Sequence, residues 1–277
     1  MAKNKKKVTT TIVTTVVTET IVPTNEKTHI ICVLDSSGSM GNIMKDSIGG
    51  FNEFLRQQKA LPDKATITVA LFDDPNHYQL LYDNIDIKQA EELTSTVWYP
   101  RGMTALYDAI GKTINTDKAK LARLGKEAPS KVLVCVVTDG EENSSKEYTL
   151  AAVKKLIKEC EKEDWNFLYL AANQDAFKVG SGFGISVGNT YNYVASSAGV
   201  AGMSMTLNNA STSYRNMSSY SADFGTISKS LINPDDKDKE DKDAPKDNLT
   251  GSITTSGTNN VTFTNSTTTV VDDKDVK

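Results

Sequence analysis

Three short stretches of this 277-residue chain concentrate oxygen donors: Asp35-Ser36-Ser37-Gly38-Ser39, Arg101-Gly102-Met103-Thr104 and Thr138-Asp139-Gly140-Glu141. They hold carboxylates and hydroxyls, and neither His nor Cys stands among them. Hard donors of this kind suit Mg²⁺, Mn²⁺ or Ca²⁺ rather than Zn²⁺ or copper. The alternate spacing of Asp35, Ser37 and Ser39 lets side chains of one tight loop converge on a point, and Gly38 permits the sharp turn. Two carboxylates (Asp35, Asp139) and three hydroxyls (Ser37, Ser39, Thr104) leave a divalent ion short of charge and of ligands. An acidic group of a protein partner can then complete its shell. No Ser-His-Asp or Cys-His arrangement is visible, so no catalytic residue is assigned and no enzyme is expected.

The surrounding pattern says what positions these loops. Residues 29–34 (HIICVL) and 132–137 (VLVCVV) are short, wholly apolar runs, the mark of parallel strands buried on both faces. Residues 65–72 and 166–172 read as further strands, and Tyr78 to Tyr82, after the turn Asp73-Asp74-Pro75-Asn76, as an antiparallel hairpin partner. Helical spacing joins Ile43, Met44, Ile48, Phe51, Phe54 and Leu55. It also joins Leu150, Val153, Leu156, Ile157 and Cys160. Further helices are expected over 88–93 and from Ala105 to Leu124. A loop is expected at the glycines 180, 182, 184 and 188, a short strand near Tyr191 to Val194, and helix-compatible sequence to about Ile232. Strands alternating with helices imply an α/β fold: three layers, doubly wound, with a mainly parallel sheet and right-handed crossovers. In such sheets ligands bind beyond the carboxyl ends of the strands, where strand order reverses, and all three loops fall at that edge.

The loops and their flanks resemble the von Willebrand factor A (vWA) domain and its metal-ion-dependent adhesion site. The resemblance runs through Asp35 to Ser39, Ile48-Gly49-Gly50-Phe51-Asn52, Leu71-Phe72-Asp73-Asp74, Thr104 to Gly111, Thr138 to Ser145 and Phe167 to Asp175, about residues 28–230. The sequence is most similar in style to the small stand-alone vWA proteins of bacteria and phages. The resemblance implies a Rossmann-like fold, direct metal contact from Ser37, Ser39 and Thr104, and contact from Asp35 and Asp139 directly or through water. A lone Asp-x-Ser-x-Ser could equally be an Asx-turn or a helix cap, but three ordered loops at element boundaries argue against that. An EF-hand is excluded because its sixth and twelfth places are Met40 and Asp46. An aspartyl-phosphate enzyme would want Asp where Ser37 stands. The glycines at 180–188 lack a P-loop Lys-Ser/Thr. His29 and His77 show no catalytic partner, and Glu141 and Glu142 read as a solvated loop face.

Outside the domain the composition changes. Residues 1–27 are a β-prone arm, its Val8 to Val22 half threonine; 28–232 are the domain; 233–248 are a charged linker; 249–277 are a second β-prone, Ser/Thr-rich arm. The stretch 234–248 carries seven acids and four lysines and no large apolar side chain, so it cannot form a core. The arms invite pairing between subunits, which makes a self-assembling scaffold the alternative to a metal-dependent binding module; a metal-dependent phosphoesterase is a third, weaker reading. Net charge is −4 and the basic cluster at Lys3 to Lys7 is short, so nucleic acid is not expected. No apolar run approaches about 18 residues, so no membrane span is expected. Cys32, Cys135 and Cys160 read as small buried hydrophobes, which suits a reducing, cytoplasmic setting.

Overall fold

The computed structural model describes residues 13–20, 27–173, 175–216, 249–256 and 260–267. The Lys3–Lys7 tail, the charged linker 233–248 and the sequence from 217 to Ile232 lie outside the described residues. The elements in chain order are β1 (Val13–Thr20), β2 (Thr28–Asp35), α1 (Met44–Ala60), β3 (Ala65–Phe72), β4 (Tyr78–Asp86), α2 (Leu106–Leu124) and β5 (Lys131–Thr138). They continue with α3 (Leu150–Glu161), β6 (Trp165–Ala172), α4 (Ala176–Phe183), β7 (Thr190–Tyr193), α5 (Ser197–Asn216), β8 (Leu249–Ser256) and β9 (Asn260–Thr267). The chain divides into two units, residues 24–232 and the two ends together.

The larger unit is a three-layer α/β fold around a six-stranded sheet in the order β4-β3-β2-β5-β6-β7. All neighbours are parallel except β4, which runs antiparallel to β3. Alternation along each strand sends residues to two cores. Ile30, Cys32 and Leu34 of β2 join Phe51, Phe54, Val200 and Leu207 of α1 and α5. Ile31 and Val33 join Leu106, Ile110, Val153 and Ile157 of α2 and α3. Every residue of β2, β3 and β5 is buried, as a strand covered on both faces requires. The chain leaves β2 toward β3 and returns to β5 on the other side, so the order reverses between β2 and β5.

Two expectations need correction. Residues 88–93 do not form a helix; only a single 3₁₀ turn, Ile87–Gln89, follows β4. Asn52 of α1 captures the backbone beyond it, donating to Leu93 O at 2.9 Å and accepting from Leu93 N at 2.7 Å. The glycine stretch is not all loop: Gly180 and Gly182 lie within α4, which Gly184 closes in a left-handed conformation (φ 91°). The terminal arms carry the strands of a second, antiparallel sheet, β1-β9-β8, in which they pair with one another.

One close approach ties helix to loop. A Cβ at Gly111 of α2 would run into the ring of Tyr148, which belongs to the loop after β5. Gly111→Ala therefore must displace that ring, and unfolding in urea is expected to show a loss of about 1–3 kcal/mol. An unchanged midpoint would show that Tyr148 moves aside freely.

Candidate metal centre

The three oxygen-rich loops meet at the carboxyl end of β2 and β5. Asp35 is the last residue of β2, and Asp139 follows β5 directly. Backbone bonds stitch the loops together. Ser36 N donates to Phe72 O (2.7 Å), Arg101 N to Ser36 O (2.7 Å), Gly38 N to Gly102 O (3.3 Å) and Asn143 N to Thr104 O (3.0 Å). The indole of Trp98 donates to Asp35 O at 2.8 Å. Asn143 also accepts from Thr104 N at 2.9 Å, which closes a reciprocal pair between the second and third loops.

Within this frame the predicted residues come together. Ser37 and Ser39 hydroxyls are 3.0 Å apart, and Ser39 donates to Asp139 Oδ1 at 2.6 Å. The position of Thr104 is set relative to both at Gly140. A Cβ built there would lie 3.1 Å from Ser39 Oγ, 3.1 Å from Thr104 Oγ1 and 3.7 Å from Ser37 Oγ. Three hydroxyls thus surround one small space, and only glycine leaves it open. Asp139 Oδ2 is buried with no hydrogen-bond partner. An orphaned buried carboxylate oxygen is costly unless a cation offsets it. Asp35, Ser37, Thr104 and Asp139 are buried while Ser39 is exposed, so the space opens to solvent on one side.

The electrostatics agree with the donor set. Burial pushes the Asp35 carboxyl from its ordinary 3.8 to about 6, against hydrogen bonds from Thr138 and Ser37, and the charge of Asp139 adds to the rise. Its oxygens accept from Ser37 N at 2.6 Å and from the Thr138 hydroxyl at 2.5 Å. Burial likewise raises Asp139, opposed by the Ser39 hydrogen bond. Tyr193, whose hydroxyl donates to Thr138 O at 3.1 Å, is held protonated by burial and by both carboxylates. Three hydroxyls around an open space, with the Asp139 carboxylate bonded to one of them and the Asp35 carboxylate behind Ser37, fit a divalent cation of the Mg²⁺, Mn²⁺ or Ca²⁺ class.

The sequence reading missed what fastens the third loop. Glu142 is no solvated face: it accepts from Tyr107 N (3.0 Å) at the start of α2, and from Ser144 N (2.9 Å), Ser145 N (2.7 Å) and Ser145 Oγ (2.7 Å). Asp108, in the first turn of α2, accepts from the backbone of Lys146, Glu147 and Tyr148 at 2.8–2.9 Å. The N-terminus of α2 has no cap from its own preceding residue, and the loop supplies one. Both histidines also have carboxylate partners. His29 lies within the sheet, 3.0 Å from Asp117 and 2.8 Å from Thr66. His77 lies 3.0 Å from Asp73 and 2.9 Å from Asp74. The ligand atoms of Asp73, Asp74 and His77 fall within 4.8 Å of one another, and the Arg101 guanidinium already sits on Asp73 at 2.5 Å.

No family model matches the chain, and no curated protein matches it. Solved structures do. Proximal thread matrix protein 1 of the mussel byssus, with a zinc-occupied MIDAS motif, is 16% identical with a TM-score of 0.47, over 70% of this chain and 47% of that one. The chain therefore spans about half the length of that protein. Manganese-loaded TRAP protein of Plasmodium vivax is 19% identical with a TM-score of 0.42, over 58% and 61%. The SpRpn10 VWA domain is 12% identical with a TM-score of 0.43, over 63% and 92%. These likenesses are distant, and the fold stands on the sheet order and register given above.

The raised Asp35 has a consequence for stability. Between pH 3.8 and about 6 the folded chain binds a proton that the unfolded chain has released. In chelator, stability from this group therefore falls as pH rises through that window and is flat above it, by at most about 3 kcal/mol. The expected signature is a difference in urea stability between wild type and Asp35→Asn that changes across the window. A pH-independent difference would contradict it.

Proposed function

We propose that Asp35, Ser37, Ser39, Thr104 and Asp139 hold a divalent cation, Mg²⁺ first and Mn²⁺ or Ca²⁺ as alternatives, and that the chain is a metal-dependent protein-binding module. The observation that carries this reading is the space at Gly140, ringed by three hydroxyls and adjoined by the unpartnered Asp139 Oδ2. When bound, the ion supplies a Lewis-acidic position that a partner's carboxylate occupies. The chain's own residues do the rest. Ser37, Ser39 and Thr104 present neutral oxygens, so only Asp35 and Asp139 offset the ion's charge. A binding role is favoured over a phosphoesterase because neither histidine stands at the site: His29 is buried against Asp117 and His77 is engaged by Asp73 and Asp74.

Metal should stabilise the fold. At roughly a hundredfold excess over Kd, Mg²⁺ or Mn²⁺ is expected to raise Tm by about 5–10 °C. Asp139→Asn should leave the metal-free Tm unchanged or higher, because a buried charge is removed, and should lose the rise. A rise of full size in that variant would remove Asp139 from the site.

A second reading, self-assembly, is favoured by a different observation. The arms form strands that pair edge to edge in the sheet β1-β9-β8, whose outer strands β1 and β8 each have one neighbour in that sheet. Such an edge can take a strand of another copy. Light scattering of the full chain and of residues 25–232 checks this: loss of an oligomer on truncation supports it, and equal monomers end it.

A further inference from the structure

The partner's carboxylate would not be met by the metal centre alone. Eight large apolar side chains stand exposed among the described residues. Five of them, Tyr99, Met103, Leu150, Phe177 and Val194, lie on loops or first helical turns beyond the carboxyl ends of the strands, the edge that carries the metal centre. Single exposed hydrophobes need no explanation, but five on the edge that also carries a polar site have the composition of an interaction surface.

Their placement is two-sided. Met103, 54% exposed, adjoins Thr104, whose hydroxyl is one of the three at Gly140. Tyr99 and Arg101 stand on the same side. The Arg101 backbone is bonded to Ser36, its guanidinium is pinned by buried Asp73, and it lies 4.8 Å from the Tyr99 ring centre while donating to the Tyr99 hydroxyl at 2.7 Å. Ordering this pair on binding costs little, because it is already ordered. On the other side Val194, 71% exposed, follows β7, two strands from β5 and so about 10 Å away. Phe177, 45% exposed, opens α4 just past β6. Tyr, Phe, Met and Arg are the residues that interfaces favour.

We propose that this rim is the second half of the recognition site, and that the partner is an extended protein segment whose Asp or Glu has large apolar residues two positions before and after it. In an extended chain, positions two apart share a face and lie about 7 Å apart. With the acid at the metal centre, one such side chain reaches toward Met103 and Tyr99, and the other toward Val194 and Phe177. The proposal rests on the metal-dependent reading above.

Two blocked peptides test it by calorimetry with the full chain in saturating Mn²⁺: acetyl-Gly-Leu-Gly-Glu-Gly-Leu-Gly-amide and the same peptide with Ser for both Leu. The leucine peptide is expected to bind at least about tenfold more tightly. Val194→Ser and Phe177→Ser should each shrink that difference while leaving Mn²⁺ affinity, read by electron paramagnetic resonance, unchanged. Equal, Mn²⁺-dependent affinities for the two peptides would overturn the rim and leave the metal reading intact. Binding of neither peptide, or binding indifferent to chelator, would overturn both. A Mn²⁺-dependent dimer without peptide, lost in Val194→Ser, would put a second copy of this chain on the rim and overturn the separate partner.

Discussion

Asp35 and Asp139 sit at the ends of adjacent parallel strands with 0% and 1% of their surface exposed, where a carboxylate is costly to ionise. Water solvates neither well, and the charge of Asp139 adds to the cost of ionising Asp35. Much of the local architecture answers this constraint. Asp35 is held by Ser37 N and by the Thr138 hydroxyl, Asp139 by the Ser39 hydroxyl, and one oxygen of Asp139 is left without a donor. A site fully satisfied by its own hydrogen bonds would have no reason to bind an ion. This one stops one partner short, beside an open space lined by oxygen.

Holding that incomplete arrangement requires stiff loops. The three that form it come from distant parts of the chain, yet each is bonded to the next through Gly38 and Gly102, and through Thr104 and Asn143. The third loop is fastened hardest. Its Glu142 accepts from Tyr107 N and its Ser145 hydroxyl from Asp108 N at the start of α2, and Asp108 of that helix takes three backbone N–H groups of the loop in return. Helix start and loop satisfy each other's unpaired groups, so neither needs ordered water or a cap of its own. Trp98, packed edge-on against Phe51 with ring centres 6.2 Å apart, fixes Asp35 from the opposite direction.

The same edge that carries these charges also carries most of the exposed large apolar side chains. A binding face that combines one strong electrostatic anchor with apolar surroundings gains affinity from burial and register from the anchor. The pinned Arg101 adds rigidity at small entropic cost, since Asp73 and Tyr99 already hold it.

That Asp35, Ser37, Ser39 and Asp139 belong to one place was legible in the sequence because their signal is local: Asp35, Ser37 and Ser39 share one loop, and Asp139 directly follows an unbroken apolar strand. Strand identity was equally plain, since burial on both faces forces the continuous runs of β2 and β5. Periodicity also sufficed for α1 and α3. What tertiary structure alone decided were the pairings between segments far apart in the chain. Glu142 read as a solvated acid, because the helix start it caps lies 35 residues away. Residues 88–93 read as a helix, because the Asn52 side chain that takes over Leu93 lies 41 residues upstream. The arms read as β-prone, but nothing local says that β1 finds β9 at the far end of the same chain. In each case local propensity described a segment correctly as helix-prone, charged or β-prone. A long-range hydrogen bond, worth more than the roughly 0.5 kcal/mol that propensity contributes per residue, then decided what it became.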